Sequence, residues 1–388
     1  MRILFINSVY DYGSTGHIIA NLMGVLKEHG NEVKVAFGRH VERADKNSII
    51  IGNRFDVLLS VIGSRLFDNH GLMNKRATRK FIKLIDAQDF DVIHIHNLHG
   101  YYINYPMLFE YLSKKKTPVV WTLHDEWSMT GHAAYEDGLV DDRSKEQEKE
   151  NLHKYPACFL FSMAKRNIQM KKRYMSMLSD CTIVTPSNWL MNEVKESYLN
   201  EYKQQVINNG IDLSVFRVKP TVNKSKDSDR TILGVSNVWE TRKGLDDFIK
   251  LRKLLDKKYT IVLIGLDKKQ ISKLPDGITG FERTDSVEQL VDWYNRADIF
   301  LNLTYEDNYP TTNLEAIACG TKVITYNTGG SPESVSKGNG SVVEPGDMKA
   351  LVRAIYNTDG GAPEVDIIIG KNRMVSEYEQ LFKRITEI

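Results

Sequence analysis

At 388 residues the chain exceeds what one hydrophobic core usually fills, so two domains are the first expectation. Apolar content of 41% and charged content of 26% are ordinary for a soluble globular protein, and a net charge of +2 gives no overall pull toward nucleic acid. Cys158, Cys181 and Cys319 are too few and too widely spaced for a disulfide framework or a zinc motif. The apolar start, Ile3 to Ile6, is too short for a secretory signal and no run approaches a membrane span, so a cytoplasmic protein is expected.

Strand and helix patterns alternate from the first residues. Arg2 to Val9 reads as a strand, Asp11-Tyr12-Gly13-Ser14-Thr15-Gly16 as a glycine-bearing turn, and Ile18, Ile19, Leu22, Val25 and Leu26 as one face of a helix that stops near Gly30. Glu32 to Phe37 is the second strand. This is a Rossmann-like opening without the full G-x-G-x-x-G, so Gly13 and Gly16 serve either a ligand-facing loop or a plain tight turn. Residues 54 to 86 read as helices, with Lys75, Arg76, Arg79, Lys80 and Lys83 on one arc opposite Ala77, Phe81, Leu84 and Ile85. Such an arc is a solvated face or a patch for anionic lipid.

His94, His96 and His99 follow on a strand. Alternation puts His94 and His96 on one face with no acidic ligand nearby, which reads as polar lining rather than a metal site. Val119 to Leu123 forms the next strand and delivers His124 and Asp125 to its C-terminal edge, where open α/β sheets bind ligands. A structural His124–Asp125 hydrogen bond is the plainer reading. Residues 141–150 are dense in charge and read as a surface excursion. Met163, Met170, Tyr174 and Met177 form a helical stripe expected to be core, with Lys165, Arg166, Lys171, Lys172 and Arg173 over the rest. Cys181 to Thr185 is a strand, and Ser187 caps a helix through Lys195.

Residues 220–230, rich in Lys, Ser, Asp and Asn, read as a linker; its Asp227-Ser228-Asp229 follows no buried strand and is not read as a metal motif. A second alternation starts at Thr231, with Ile232 to Val235 as a strand and Trp239 to Leu245 as the turn into a helix. Arg242 and Lys243 at that turn suit a diphosphate, the first as a planar fork and the second as a point charge. Strands near 260–264 and 278–281 come next, then Asp298 to Leu303, a polar loop, and a helix ending at Gly320. Asp307 and Glu315 sit eight residues apart across that loop, where a helix N-terminus offers N–H groups to an anion. Thr312 and Glu315 also fit a capping box that needs no ligand. Lys322 to Thr325 and Gly340 to Val343 are further strands, and a last helix falls near 372–386.

The stretch Tyr305 to Gly320 resembles the acidic E-x7-E signature of retaining GT-B glycosyltransferases of the GT4 type (glycosyltransferase group 1), with Asp307 at the first position and Glu315 at the second. Pro310 stands where many members have Gly. Thr122-Leu123-His124-Asp125, Asn209-Gly210-Ile211-Asp212, Lys243-Gly244 and Gly329-Gly330 with Glu333 are similar to further elements of that family, so the likeness covers nearly the whole chain. It implies two Rossmann-like α/β domains facing each other across a cleft: residues 1–212, a linker at 213–230, a donor domain at 231–371, and a helix at 372–388 crossing back. It also implies a UDP- or GDP-linked sugar donor, Glu315 on the ribose, Arg242 and Lys243 on the diphosphate, and His124 in the active site. Asp307, or its neighbour Glu306, would meet the donor sugar. Asn308, Tyr309, Thr311, Thr312 and Asn313 would complete the donor loop, with Gly13 and Gly16 beneath it. Neither a metal nor a cofactor is implied, since the leaving phosphate itself takes the acceptor proton in such retaining transfer. Relatives with these elements suggest bacterial surface polysaccharide, hence a lipid-linked acceptor and peripheral contact with an anionic membrane through the Lys75–Lys83 arc. An epimerase or phosphorylase on the same fold, a dehydrogenase, and a non-catalytic nucleotide-sugar sensor are the rival classes.

Overall fold

The computed structural model describes residues 1–135, 157–220, 230–358, 363 and 369–387. The charged run 141–150, the Asp227-Ser228-Asp229 tripeptide and residues 221–229 of the expected linker lie outside these. The first run of elements is β1 (Arg2–Ile6), α1 (Gly13–Glu28), β2 (Glu32–Phe37), β3 (Ser48–Ile50), α2 (Arg54–Phe67), α3 (Lys75–Asp86), β4 (Val92–Ile95), α4 (Tyr105–Leu112), β5 (Val119–Thr122), α5 (Ala164–Met175), β6 (Cys181–Thr185), α6 (Asn188–Glu196) and β7 (Lys203–Val206). The second is β8 (Arg230–Val235), α7 (Leu245–Arg252), β9 (Tyr259–Ile264), α8 (Lys268–Ile271), β10 (Ile278–Phe281), α9 (Val287–Arg296), β11 (Ile299–Asn302), α10 (Thr311–Ala318), β12 (Lys322–Tyr326), β13 (Gly340–Val343), α11 (Met348–Asn357) and α12 (Lys371–Thr386). They form two compact units, Met1–Asn208 with Met374–Ile388, and Asn209–Arg373.

The first unit is built on a parallel sheet in the order β3-β2-β1-β4-β5-β6-β7. Ile3, Leu4, Phe5 and Ile6 of β1 are fully buried, as an unbroken apolar run must be when helices cover both faces of a parallel sheet. On one face, Ile19, Leu22 and Leu26 of α1 join Met374, Tyr378 and Phe382 of α12. On the other, Phe81 and Ile85 of α3 and Leu108 and Phe109 of α4 pack with Trp121. The second unit has the parallel order β10-β9-β8-β11-β12-β13. Phe248 of α7 and Leu351 of α11 fill one face, while Tyr294 of α9 and Leu314 and Ile317 of α10 fill the other.

Strand order reverses between β1 and β4 in one unit and between β8 and β11 in the other. Open α/β sheets bind ligands in the crevice beyond the C-terminal strand ends at such a reversal. In the first unit that edge carries Asn7 and His96, and in the second Thr304 to Asp307.

One expectation fails in α5. The Met163, Met170, Tyr174 and Met177 stripe is not the core face: Met177 is exposed, and the buried positions are Ala164, Asn167, Lys171 and Met175. The face is rotated because Lys171 turns inward. Its ammonium bonds to the carbonyls of Trp127 and Thr130 and stands 3.7 Å from the centre of the Trp127 ring, which supplies the polar and π partners a buried cation needs.

Candidate functional site

In the second unit the chain leaves β11 and meets the turn before α7. Gly244 has φ +71°, and a Cβ there would lie 2.1 Å from the Leu303 carbonyl oxygen, so only glycine lets the two segments approach this closely. Tyr305 N–H then donates to the Arg242 carbonyl at 2.7 Å, and the Arg242 guanidinium donates to the Glu306 carbonyl at 2.9 Å. From the other side, Gly330 N–H donates to the Asp307 carbonyl at 3.0 Å, and a Cβ on Gly329 (φ +53°) would stand 2.0 Å from that oxygen. The loop carrying Asp307 is thus clamped between two glycine approaches. Gly329 and Gly330 were read only as a family turn; their contact with Asp307 is a tertiary fact with no local signal.

The clamp brings Lys243 Nζ to 2.6 Å from Asp307 Oδ2, with both side chains under one-fifth exposed. Burial pushes the Lys243 ammonium down while Asp307 opposes it. Burial would raise Asp307, but Lys243 and Arg242 outweigh it and hold the carboxyl below its usual range, so the pair is ionised. Asp307 Oδ1 also accepts the Asn308 N–H at 2.9 Å, which commits one of the expected donor-loop amides. The carbonyl of the neighbouring Glu306 is held here by Arg242.

The capping box that Thr312 and Glu315 offered as the alternative to ligand binding is not formed. α10 starts at Thr311, its N-cap is Pro310, and no side chain caps it. With Glu315 at the fifth helical position rather than the third, its carboxylate cannot return to the cap; it accepts the Tyr294 hydroxyl at 2.8 Å instead. Burial pushes Glu315 up to about 7, against smaller opposing bonds from Tyr294 and Thr311. The first amides of α10, at Thr311 and Thr312, therefore have no side-chain cap. Asn313 is turned inward, fully buried, linking Asn302 at 3.0 Å to Ser334 at 2.8 Å. Tyr309 is buried, its carbonyl accepting from Asn209 at 3.2 Å.

Beside the Arg242–Lys243 turn lies an open cavity of about 650 Å³ lined by Asn237, Trp239, Gly265, Gln270, Glu282 and Arg283. These residues follow β8, β9 and β10, and Trp239 is fixed by its indole N–H to the Ile264 carbonyl at 2.9 Å. In the sequence Trp239 reads as part of the turn and Asn237 as standing where many relatives of the resembled family carry arginine; Gly265, Gln270, Glu282 and Arg283 are not singled out there, because the lining comes from three separate strand ends.

In the first unit His124 projects from the end of β5 and its Nε2 lies 2.8 Å from His96 Nδ1. His94 and His96 do share a face, ring centres 4.2 Å apart, and His94 Nε2 lies 2.8 Å from Thr122 Oγ1. Burial pushes His124 down to about 4, with Asp125 opposing, so its ring is neutral at physiological pH. The alternative reading of a structural His124–Asp125 bond is not what forms: Asp125 pairs with His99 Nε2 at 2.6 Å and accepts the Trp127 N–H at 3.0 Å. Among the described residues, no group of three His, Cys, Asp or Glu side chains is arranged to hold a metal ion. Gly13 and Gly16 are at the start of α1: Gly13 has φ +63°, and Gly16 accepts the Asp11 N–H that closes the turn. Lys75, Arg76, Arg79, Lys80 and Lys83 are all exposed on α3.

Sequence and structural comparisons agree on the kind of protein this geometry belongs to. The description "Glycosyltransferase Family 4" matches residues 15–215, and "Glycosyl transferases group 1" matches residues 229–358. Glycosyl transferase WcaC of Escherichia coli K12, named for colanic acid biosynthesis, is 25% identical over 274 residues, 68% of this chain and 66% of that protein. A D-inositol 3-phosphate glycosyltransferase of Streptomyces bingchenggensis is 36% identical over 63 residues, 16% of this chain. The chain thus spans just under two thirds of the first relative and 14% of the second. Among solved structures, sucrose-phosphate synthase of Thermosynechococcus elongatus superposes with a TM-score of 0.72 at 15% identity, covering 99% of this chain and 98% of that one. HepE of Anabaena, solved with UDP-glucose, gives 0.61 at 16% identity, covering 100% and 98%. The shared architecture is the GT-B fold of two parallel α/β halves.

Proposed function

The chain belongs to glycosyltransferase family 4, and on that premise we propose that it moves a hexosyl group, with retention, from a UDP- or GDP-linked sugar to a lipid-linked saccharide acceptor in the assembly of a bacterial surface polysaccharide. The observation that carries the donor half of this reading is the clamp itself. A lysine, an arginine and the uncapped start of α10 converge on one loop at a switch point, where a departing diphosphate would collect negative charge. Lys243 and Arg242 are assigned to that charge, and the amides of Thr311 and Thr312 to the phosphate nearest the sugar. Asp307 holds Lys243 in place and is the acid offered to the sugar hydroxyls. Glu315 is assigned to the ribose, and the adjoining cavity is of a size that takes a nucleoside. This charge compensation is assigned to protein groups rather than to a metal ion. His124, neutral and steadied by His96, is assigned as a hydrogen-bonding active-site group and not as a general base. Orientation and leaving-group stabilisation then supply the catalysis.

HepE was solved with UDP-glucose and WcaC is named for colanic acid, which favours a nucleotide-sugar donor and a polysaccharide product. The test is to incubate the protein with UDP- and GDP-sugars, with and without a lipid-linked acceptor, and to follow nucleotide release and the anomeric configuration of the product. Acceptor-dependent release with the donor's configuration kept supports the reading. Release or sugar conversion without acceptor contradicts it.

A further inference from the structure

α2 is built inside out. Its buried positions are Ser60, Gly63 and Ser64, and Met73 packs so close that a Cβ on Gly63 would lie 3.2 Å from its methyl group. Its large apolar residues face solvent instead: Phe55, Leu58, Leu59, Ile62 and Phe67 are between 43% and 64% exposed. The first four recur at helical spacing and make a single stripe. Phe159, Leu160 and Phe161, also more than half exposed, continue it. Phe159 N–H donates to the Arg65 carbonyl at 2.8 Å, and the Arg65 guanidinium stands 5.9 Å from the Phe159 ring centre, which fixes that triplet at the C-terminal end of α2. Single exposed leucines need no explanation; a connected patch of large apolar side chains marks a surface that something covers.

The surrounding charge decides what covers it. α2 adds Arg54 and Arg65, and α3 adds its five exposed cations, with Ala77 of α3 packed against Gly52 at the entry to α2. The two carboxylates on these helices are already engaged, Asp56 with the Asn53 N–H at 3.0 Å and Asp86 with Lys115. A second copy of the chain would bring the same cations against these. An anionic bilayer brings opposite charge at its headgroups and an apolar layer beneath, which is what a stripe of this kind needs. Among the described residues, no helix is long and apolar enough to cross a membrane. We propose that this face docks on anionic phospholipid, with α2 lying in the interface, its stripe toward the acyl chains, and the α3 cations at headgroup level. The inference rests on the lipid-linked acceptor of the proposed function for its purpose, while the surface binds without donor or acceptor.

The test floats the full chain with vesicles of phosphatidylcholine alone or mixed with phosphatidylglycerol, in the absence of nucleotide sugar, so a negative result leaves glycosyl transfer standing. The wild type is expected to float with the mixed vesicles and not with the neutral ones. Leu58→Gln with Ile62→Gln should lower binding at least about tenfold, including the part that survives high salt, because two buried aliphatic side chains are lost. Arg76→Glu with Arg79→Glu and Lys80→Glu should abolish the salt-sensitive part. All five positions are partly or fully exposed, so melting temperatures at or above that of the wild type separate lost docking from lost fold. Flotation of these variants equal to the wild type overturns the proposal, as does failure of the wild type to float. A wild-type dimer that Leu58→Gln with Ile62→Gln converts to monomer also overturns it, by assigning the patch to a second copy.

Discussion

Replacing Glu315 by Gln separates what the carboxylate does for folding from what it does for a ligand. The amide still accepts the Tyr294 hydroxyl, so the hydrogen bond is kept and only the charge is removed. Burial raises this carboxyl from 4.5 to about 7. A carboxyl raised in the folded state binds its proton more tightly there than in the unfolded chain, so folding loses stability as pH rises from the unfolded value to the folded one. Spread over that window, the cost of ionising Glu315 grows to about 3 kcal/mol above pH 7. The variant does not bear it. Chemical denaturation at pH 5, 6, 7 and 8 should therefore show wild type and Glu315→Gln nearly equal at about pH 5, with the variant gaining through about pH 7 and level beyond. Nucleotide-sugar affinity should move the other way. A ribose-binding carboxylate works ionised, so wild-type affinity rises through the same window and the variant's stays low and flat. Parallel stability profiles for the two proteins would refute the burial argument, and equal affinity at pH 8 would remove Glu315 from the donor site.

Lys243→Ala should lower kcat by on the order of 10²–10³, read in steady-state transfer, since the charge it meets grows on the departing diphosphate. Gly329→Ala forces a Cβ onto the Asp307 carbonyl at a positive φ, so it should cost about 1–3 kcal/mol in denaturant melts and weaken donor binding as the loop shifts. With His124 held at about 4, the pH–activity profile should carry no histidine limb; a limb near pH ~6.5 that vanishes in His124→Gln would contradict its assignment as a neutral group.

Much of the fold was legible because parallel strands buried on both faces write themselves as apolar runs. Cys181–Thr185, buried throughout, and Glu32–Phe37 fall where the sequence pattern puts them, as do the edge strands Ile278–Phe281 and Gly340–Val343, in which only Ile278 and Val343 are buried. The Arg242–Lys243 turn and the Asp307 loop were legible too, since both lie beside strands that end at one sheet edge. What could not be read is which partner each polar group takes. Glu315 sits at a spacing from Thr312 that suits a capping box, yet the helix begins two residues earlier than that box requires and Tyr294, from another helix, captures the carboxyl. Asp125 follows His124 in the chain but bonds His99, because successive residues beyond a strand point to different sides. Lys171 reads as one of a row of surface cations, and only the carbonyls of Trp127 and Thr130 make its burial tolerable.

The sharpest lesson lies in α2. Periodicity distinguishes the two faces of a helix but does not say which one turns inward; that step is supplied by the assumption that apolar means buried. The assumption holds for most of α3, where Ala77, Phe81 and Ile85 are inside and the cations outside, while Leu84, expected on the same apolar face, is exposed at its margin. It fails one helix earlier. Ser60, Gly63 and Ser64 form a narrow face that Met73 can approach closely, and the Ser60 and Ser64 hydroxyls are buried with no hydrogen-bond partner among the described residues. Turning Leu58 and Ile62 inward instead would hide apolar area and free those hydroxyls, two gains at once for a protein that meets only water. An orientation that forgoes both is accounted for when the outer face has an apolar medium of its own. Its large residues would then be buried after all, in a phase the polypeptide does not provide. The prediction that follows is a change in that outer face alone: Leu58→Gln with Ile62→Gln should leave the protein as stable as before in water, by denaturant melts, and less stable than the wild type once anionic vesicles are added. Equal stability of the two proteins on vesicles would mean that the inversion of α2 serves some other end.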